Sequence, residues 1–237
     1  KCSLGENMSK SISKNIIEQM RKDGKRFWAS DNVSDYINDK SRDQLISELS
    51  VSFEGVLDGL LIDRENDPNS KGTARRMAKM YINEIMRGRY DKEPAVTAFP
   101  NDDPANRYTG MLTVRAEIKS MCSHHHQPVS GICIIGLLPS TRVIGLSKYA
   151  RVAQWLARRG TLQEELARQI AESVMKHCGT EDVGVYIQAT HGCMENRGVC
   201  AHSSLTQTSI VHGQFFNPSV KSEWMDQIKL QISTGGS

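Results

Sequence analysis

The sequence has no apolar run approaching the roughly 20 residues that a membrane-crossing helix needs, which excludes a transmembrane helix from the reading. Its first residues have no apolar core segment of the kind a secretory signal carries, so a cytoplasmic location is expected. Neither sign of charge dominates. Lysine and arginine number 30 against 27 aspartate and glutamate, a net +3, which gives no electrostatic case for nucleic acid. Internal repeats and low-complexity stretches are missing too. Six cysteines in 237 residues (Cys2, Cys122, Cys133, Cys178, Cys193 and Cys200) are too sparse for a small disulfide scaffold, so free or metal-bound thiols in a reducing compartment are expected. Cys133, inside an apolar run, and Cys178, at a helix end, read as packing residues. What remains, 38% hydrophobic and 24% charged, is the balance of a globular protein with one large domain, or a smaller one plus an extension.

Two short clusters carry chemistry. One is Met121-Cys122-Ser123-His124-His125-His126; the other, far downstream, is His191-Gly192-Cys193. Zinc binds thiolate sulfur and imidazole nitrogen, and three protein ligands leave a fourth position for water. Cys122 and His125 are spaced to share one ion from a single turn, with Cys193 closing the site from a distance. The competing reading is a surface histidine tract that binds metal adventitiously, although such a tract left by a tag belongs at a terminus. Lys1 to Asn7, ahead of Met8, read as residues added in front of a natural start.

Hydrophobic periodicity divides the chain. Helices are expected over Asn15 to Lys22, over Ser41 to Leu61, and over Thr73 to Arg87, where Met77, Met80, Tyr81 and Ile85 form the buried stripe and Gly88 stops the helix. Ile62 to Gly72 is a polar break, and Asp91 to Ala105, with three prolines, a loop. Strands are expected over Leu112 to Ile118, Ile132 to Leu138 and Val183 to Ile187, with helices over Ser147 to Arg159 and Thr161 to Cys178 between them. Runs of strands and helices in that order indicate an α+β fold, the helices grouped on one side of an antiparallel sheet.

At this point the chain resembles the GTP cyclohydrolase I family of the tunnelling-fold superfamily, over roughly Asp67 to Ser209. The resemblance lies in Gly72 to Tyr81, Ser120 to His125, Val143-Ile144-Gly145-Leu146-Ser147-Lys148 with Arg151, Gln163-Glu164, His191-Gly192-Cys193 and Arg197-Gly198. It implies an N-terminal helical extension over residues 1–66, a tunnelling-fold domain over 67–237, and a toroidal homodecamer with active sites at subunit interfaces. By the same resemblance Cys122, His125 and Cys193 match zinc ligands, and His124 and His191 match acid/base histidines. Ser147, Lys148, Arg151 and Arg197 match residues around ribose and triphosphate, and Arg76 matches a phosphate contact from a neighbouring subunit. Gln163 and Glu164 match the guanine-recognising pair.

The implied reaction opens the imidazole ring of GTP, releases formate and recloses to 7,8-dihydroneopterin triphosphate. The residue types suit it. Zinc activates water near neutral pH, histidine moves protons there, arginine's planar fork grips phosphate, and a carboxylate accepts from both N1–H and the 2-amino group of guanine. Each assignment has a plainer counterpart. Thr161 and Glu164 have capping-box spacing, Ser147 is a favoured N-cap type, and Arg75-Arg76 alone reads as a solvated face. His177, His202 and His212 have no matched role. The metal segment departs from the family pattern: Ser123 stands where the family has Glu, and His126 where it has a bulky apolar residue. Two alternatives therefore accompany the main reading. One is a tunnelling-fold enzyme acting on another purine or pterin with altered or truncated chemistry; the other is a non-catalytic zinc oligomer that binds nucleotide or pterin.

Overall fold

The computed structural model describes residues 11–201 and 203–234. The leading stretch Lys1 to Asn7, Cys2 and His202 lie outside the described residues. Compactness divides the chain into two units, one ending at Lys92 and the other beginning at Glu93.

The first unit is helical. Helix α1 (Ile12–Lys22) starts at Ser11, whose hydroxyl accepts from the Lys14 amide. The Glu48 carboxylate accepts from the Ser11 hydroxyl and from the amides of Ile12 and Ser13, placing negative charge at a helix N-terminus. Glu48 belongs to α2 (Asp39–Gly59), which opens with a reciprocal capping box between Asn38 and Ser41. Helix α3 (Thr73–Met80) follows Gly72, whose φ of 76° is left-handed and suits glycine. It widens into one π-helical turn at Tyr81–Ile85 before α4 (Arg87–Tyr90). Gly88 is therefore no stop: it is buried inside α4. The buried row is Ala74, Ala78, Ile82 and Met86, while Met77, Met80, Tyr81 and Ile85 are only half-buried. Small alanines four apart let α3 approach α2 closely, so Ile46, Ala78 and Ile82 form one core with Leu49, Phe53 and Tyr90. The polar stretch 62–72 thus joins helices of the same unit rather than separating units.

The second unit contains β1 (Ala98–Pro100), β2 (Leu112–Cys122), β3 (Pro128–Leu137), β4 (Arg142–Ile144), α5 (Leu146–Ala157), β5 (Gly160–Thr161), α6 (Gln163–Cys178), β6 (Val183–His191), α7 (Gly192–Glu195), β7 (Thr206–Val211) and α8 (Pro218–Thr234). Strands β1 and β4 form a small antiparallel pair; the main sheet runs β5-β2-β3-β6-β7, antiparallel except where β5 lies parallel to β2. Strand alternation sends Cys133, Ile135, Leu137, Val185, Ile187 and Ala189 to one face, against α5 and α6. Ile134 and Tyr186 point to the other face, where they meet Phe215, Trp224 and Ile228. The fold is α+β, as expected. Helices α5 and α6 share one face of the sheet; α8, which the sequence reading did not mark, covers the opposite one. Among the described residues no helix is long and apolar enough to cross a membrane.

Three strands run further than expected: β3 begins four residues early, at Pro128, and the extensions of β2 and β6 matter for function. Pairing with β3 carries β2 past Ile118 to Cys122, and β6 continues past Ile187 to His191. Gly131 in β3 faces Ala189 of β6 across this extension. A Cβ there would lie 2.0 Å from the Gln188 carbonyl oxygen and 2.6 Å from the Ala189 Cα. Gly131→Ala is therefore expected to destabilise the protein by about 1–3 kcal/mol, read as a lower denaturant midpoint. An unchanged midpoint would contradict this pairing.

Candidate active site

Strand β2 ends on Cys122, which is 5% exposed. The chain then turns through residues 123–127. The turn is closed by the Cys122 amide donating to the Gln127 carbonyl (3.0 Å) and the His126 amide donating to the Cys122 carbonyl (2.9 Å). His126 takes a left-handed φ of 51°, a conformation that costs a residue with a Cβ about 1–2 kcal/mol. The result is a buried thiol under exposed imidazoles. His124 Nδ1 lies 3.8 Å from Cys122 Sγ, and the His124 and His125 rings are 6.3 Å apart, edge on.

Register brings the second cluster to the same place. Val129 pairs with His191, so the end of β6 lies beside the turn, and α7 begins at once with Gly192 packed against Pro128. The Cys193 thiol lies beside that of Cys122, packed against the same core cluster. Burial pushes the Cys193 thiol pKa up, and the neighbouring Cys122 pushes it further, while Arg197 pulls the other way. Parallel pairing of Cys122 with Thr161 starts α6 at the same end of the sheet. There Gln163 is 5% exposed, and its Oε1 is 2.8 Å from His191 Nε2. Burial lowers the His191 pKa, against the opposing pull of Glu164 and Glu195. A histidine lowered from 6.5 is mostly neutral at pH 7 and able to accept a proton.

Two plainer readings fail here. Helix α6 has Leu162 as its N-cap with no side-chain cap, and the Thr161 hydroxyl donates to the Leu162 carbonyl instead. Glu164 is therefore not half of a capping box; it stands exposed in the first turn, close enough to His191 to act on its charge. Helix α5 is likewise capped at Gly145, which places Ser147 inside the first turn, exposed and not a cap.

Ser147, Lys148 and Arg151 are not gathered at the thiol pair within one chain. The twelve residues of α5 span ~18 Å. The C-terminal end of α5 leads through Gly160 to its partner Met121, whereas Tyr149, near its start, packs on Cys178 at the far end of α6. Ser147 and Lys148 thus sit at the opposite end of the helix layer from Cys122 and His191, with Arg151 midway. Arg76 belongs to the first unit, where its guanidinium donates to the Lys71 and Asn69 carbonyls and to the Thr73 hydroxyl, fastening the loop before α3. Arg197 follows α7, near Cys193 and exposed.

For a metal, the donor chemistry fits in part. Two thiols are neighbours, and an imidazole nitrogen stands 3.8 Å from one of them. Tetrahedral zinc with Zn–S about 2.3 Å and Zn–N about 2.0 Å separates such a sulfur and nitrogen by roughly 3.5 Å. Among the described residues, however, no group of three or more His, Cys, Asp or Glu side chains is already arranged around one point. His125, expected as the imidazole ligand, is turned to solvent, and His124 is the one nearer Cys122. The sequence reading also missed Thr206 and Thr208 of β7, which meet the Gln163 side chain. The period-2 run Thr206, Thr208, Ile210 was the available signal.

A family model described as GTP cyclohydrolase I matches residues 52–229. A GTP cyclohydrolase 1 of Flavobacterium johnsoniae is 37% identical over 194 residues, covering 81% of this chain and 85% of that protein. One from Aeromonas salmonicida is 36% identical over 180 residues, covering 75% and 81%. One from Pseudoalteromonas translucida is 34% identical over 189 residues, covering 77% and 98%.

Proposed function

The chain belongs to the GTP cyclohydrolase I family, and from that premise we propose that it opens the imidazole ring of GTP, releases formate and recloses the product to 7,8-dihydroneopterin triphosphate. The observation that carries this reading is the convergence, at one end of the sheet, of the Cys122–Cys193 thiol pair with His124, His191 and the exposed Glu164. Cys122, Cys193 and an imidazole from the turn, His125 by family likeness, would hold zinc. When bound, the ion supplies Lewis-acid activation of water at neutral pH.

The protein's own groups account for the rest. Neutral His191 takes up and returns protons, and His124, exposed beside Cys122, delivers a proton as the ring opens. Glu164 accepts from the guanine N1–H and 2-amino group in paired hydrogen bonds. Arg197 stands where it can meet ribose or phosphate. Ser147, Lys148, Arg151 and Arg76 serve the same substrate from neighbouring copies in a ring of subunits, ten by family likeness. That arrangement agrees with Ser147 and Lys148 lying far from the thiol pair within one chain.

The test is to incubate zinc-loaded protein with GTP and follow formate and the nucleotide by mass spectrometry. Formate and dihydroneopterin triphosphate in equal amounts are expected. Formate without reclosed product would shift the assignment to truncated ring opening, and unchanged GTP from an assembled, zinc-occupied protein would overturn it.

A further inference from the structure

Gln163 is nine-tenths or more buried, and both ends of its amide are engaged. Its Nε2 lies 3.3 Å from the Ile187 carbonyl, 3.2 Å from the Thr206 carbonyl and 3.1 Å from the Thr208 hydroxyl; its Oε1 lies 2.8 Å from His191 Nε2. Backbone carbonyls only accept, so the amide nitrogen must face them. The amide oxygen then faces His191. That oxygen also only accepts, so the hydrogen between the two groups resides on His191 Nε2. A neutral imidazole has one N–H, which leaves the lone pair on Nδ1.

We propose that Gln163 is a positioning residue that fixes the tautomer of His191 with Nδ1 as the basic nitrogen, and that Thr208, beside the Ile187 and Thr206 carbonyls that set the amide's orientation, helps to hold Gln163 in place. Family likeness pairs Gln163 with Glu164 in guanine recognition; this geometry separates them. Glu164 is exposed toward substrate, while the Gln163 side chain is spent on the protein, joining the β6–β7 ladder to the imidazole. The chain of contacts runs from Thr208 on β7, through Gln163 on α6, to His191 on β6, so three elements set one proton. The catalytic consequence rests on the ring-opening reading above; the tautomer itself does not.

The experiment has two arms. In the first, protein labelled with nitrogen-15 histidine is examined without substrate, the His191 resonances being those lost in His191→Ala. The expected spectrum shows Nε2 protonated and Nδ1 bare, and Gln163→Leu turns it into a mixture of tautomers. A wild-type His191 protonated on Nδ1, or a tautomer unmoved by Gln163→Leu, overturns the proposal. This arm stands whether or not GTP is turned over. In the second, Gln163→Leu lowers kcat by about 10–100-fold, part of the ~10²–10⁴ that a positioned acid/base group contributes, with KM nearly unchanged. A raised KM at unchanged kcat would instead mean direct substrate contact and overturn the positioning role. Because Gln163→Leu removes a buried amide, the milder pair Thr208→Val and Thr208→Ser keeps the question open to refutation. Loss of one hydrogen bond in Thr208→Val should cost about 5-fold in kcat, and Thr208→Ser should restore it. No difference between the two removes Thr208 from the relay.

Discussion

Cys193→Ala is expected to lower GTP turnover by at least about 10³-fold, because it removes one member of the thiol pair through which water activation by zinc is proposed. The two residues are already neighbours across β2 and the β6–α7 junction, Cys122 held by strand pairing and Cys193 by the turn that follows His191. Nothing has to travel far for both sulfurs to meet one ion. Zinc content measured on the purified variant should fall with the activity, and so should the zinc content of Cys122→Ala. Both variants should keep wild-type stability to within about 1–2 kcal/mol, since Cys193 is half-buried and Cys122 ends its strand. Full zinc occupancy in Cys193→Ala would sink the ligand assignment. Chelation of the wild-type protein should reproduce the loss, and added zinc should reverse it.

Trp224→Ala is expected to destabilise the protein by about 3–5 kcal/mol, the range for a large aromatic removed from a closed core. Trp224 is fully buried on the outer face of the sheet, edge on to Phe215 with ring centroids 5.3 Å apart. Its seat is built from two glycines paired across β3 and β6, Gly136 and Gly184. A Cβ at Gly136 would lie 2.4 Å from Trp224 Nε1, and one at Gly184 2.9 Å from Cη2. The sheet is bare backbone there because the indole occupies the space. Gly136→Ala should accordingly cost about 1–3 kcal/mol by overpacking, whereas Phe216→Ala, 70% exposed, should stay within about 0.5 kcal/mol. Denaturant midpoints compare all three. Equal midpoints for Trp224→Ala and Phe216→Ala would show that α8 does not close the core.

The sequence alone determined the elements whose periodicity is local. The four-residue spacing of Leu166, Ile170 and Val174 placed α6 to within two residues of its observed start, and the run 132–138 found the C-terminal part of β3. Two Cys/His clusters, joined to several motifs in the right order, also sufficed to recognise the family. Tertiary structure decided what depends on partners distant in sequence. Strands β2 and β6 reach Cys122 and His191 because their neighbours supply hydrogen bonds that local hydropathy does not record. Helix α8 was missed because its buried residues, Trp224 and Ile228, gain their meaning from a glycine-floored patch of sheet. Glu164 had the spacing of a cap in the sequence, and only the true start of α6 freed it from that role. Gln163 had the opposite history: its neighbour in sequence suggested substrate, and its neighbours in space, His191 and Thr208, assign it to the imidazole. Side-chain type and spacing state which chemistry is available. Which groups share a proton is set by long-range pairing, because hydrogen bonds act over about 3 Å of space whatever their separation along the chain.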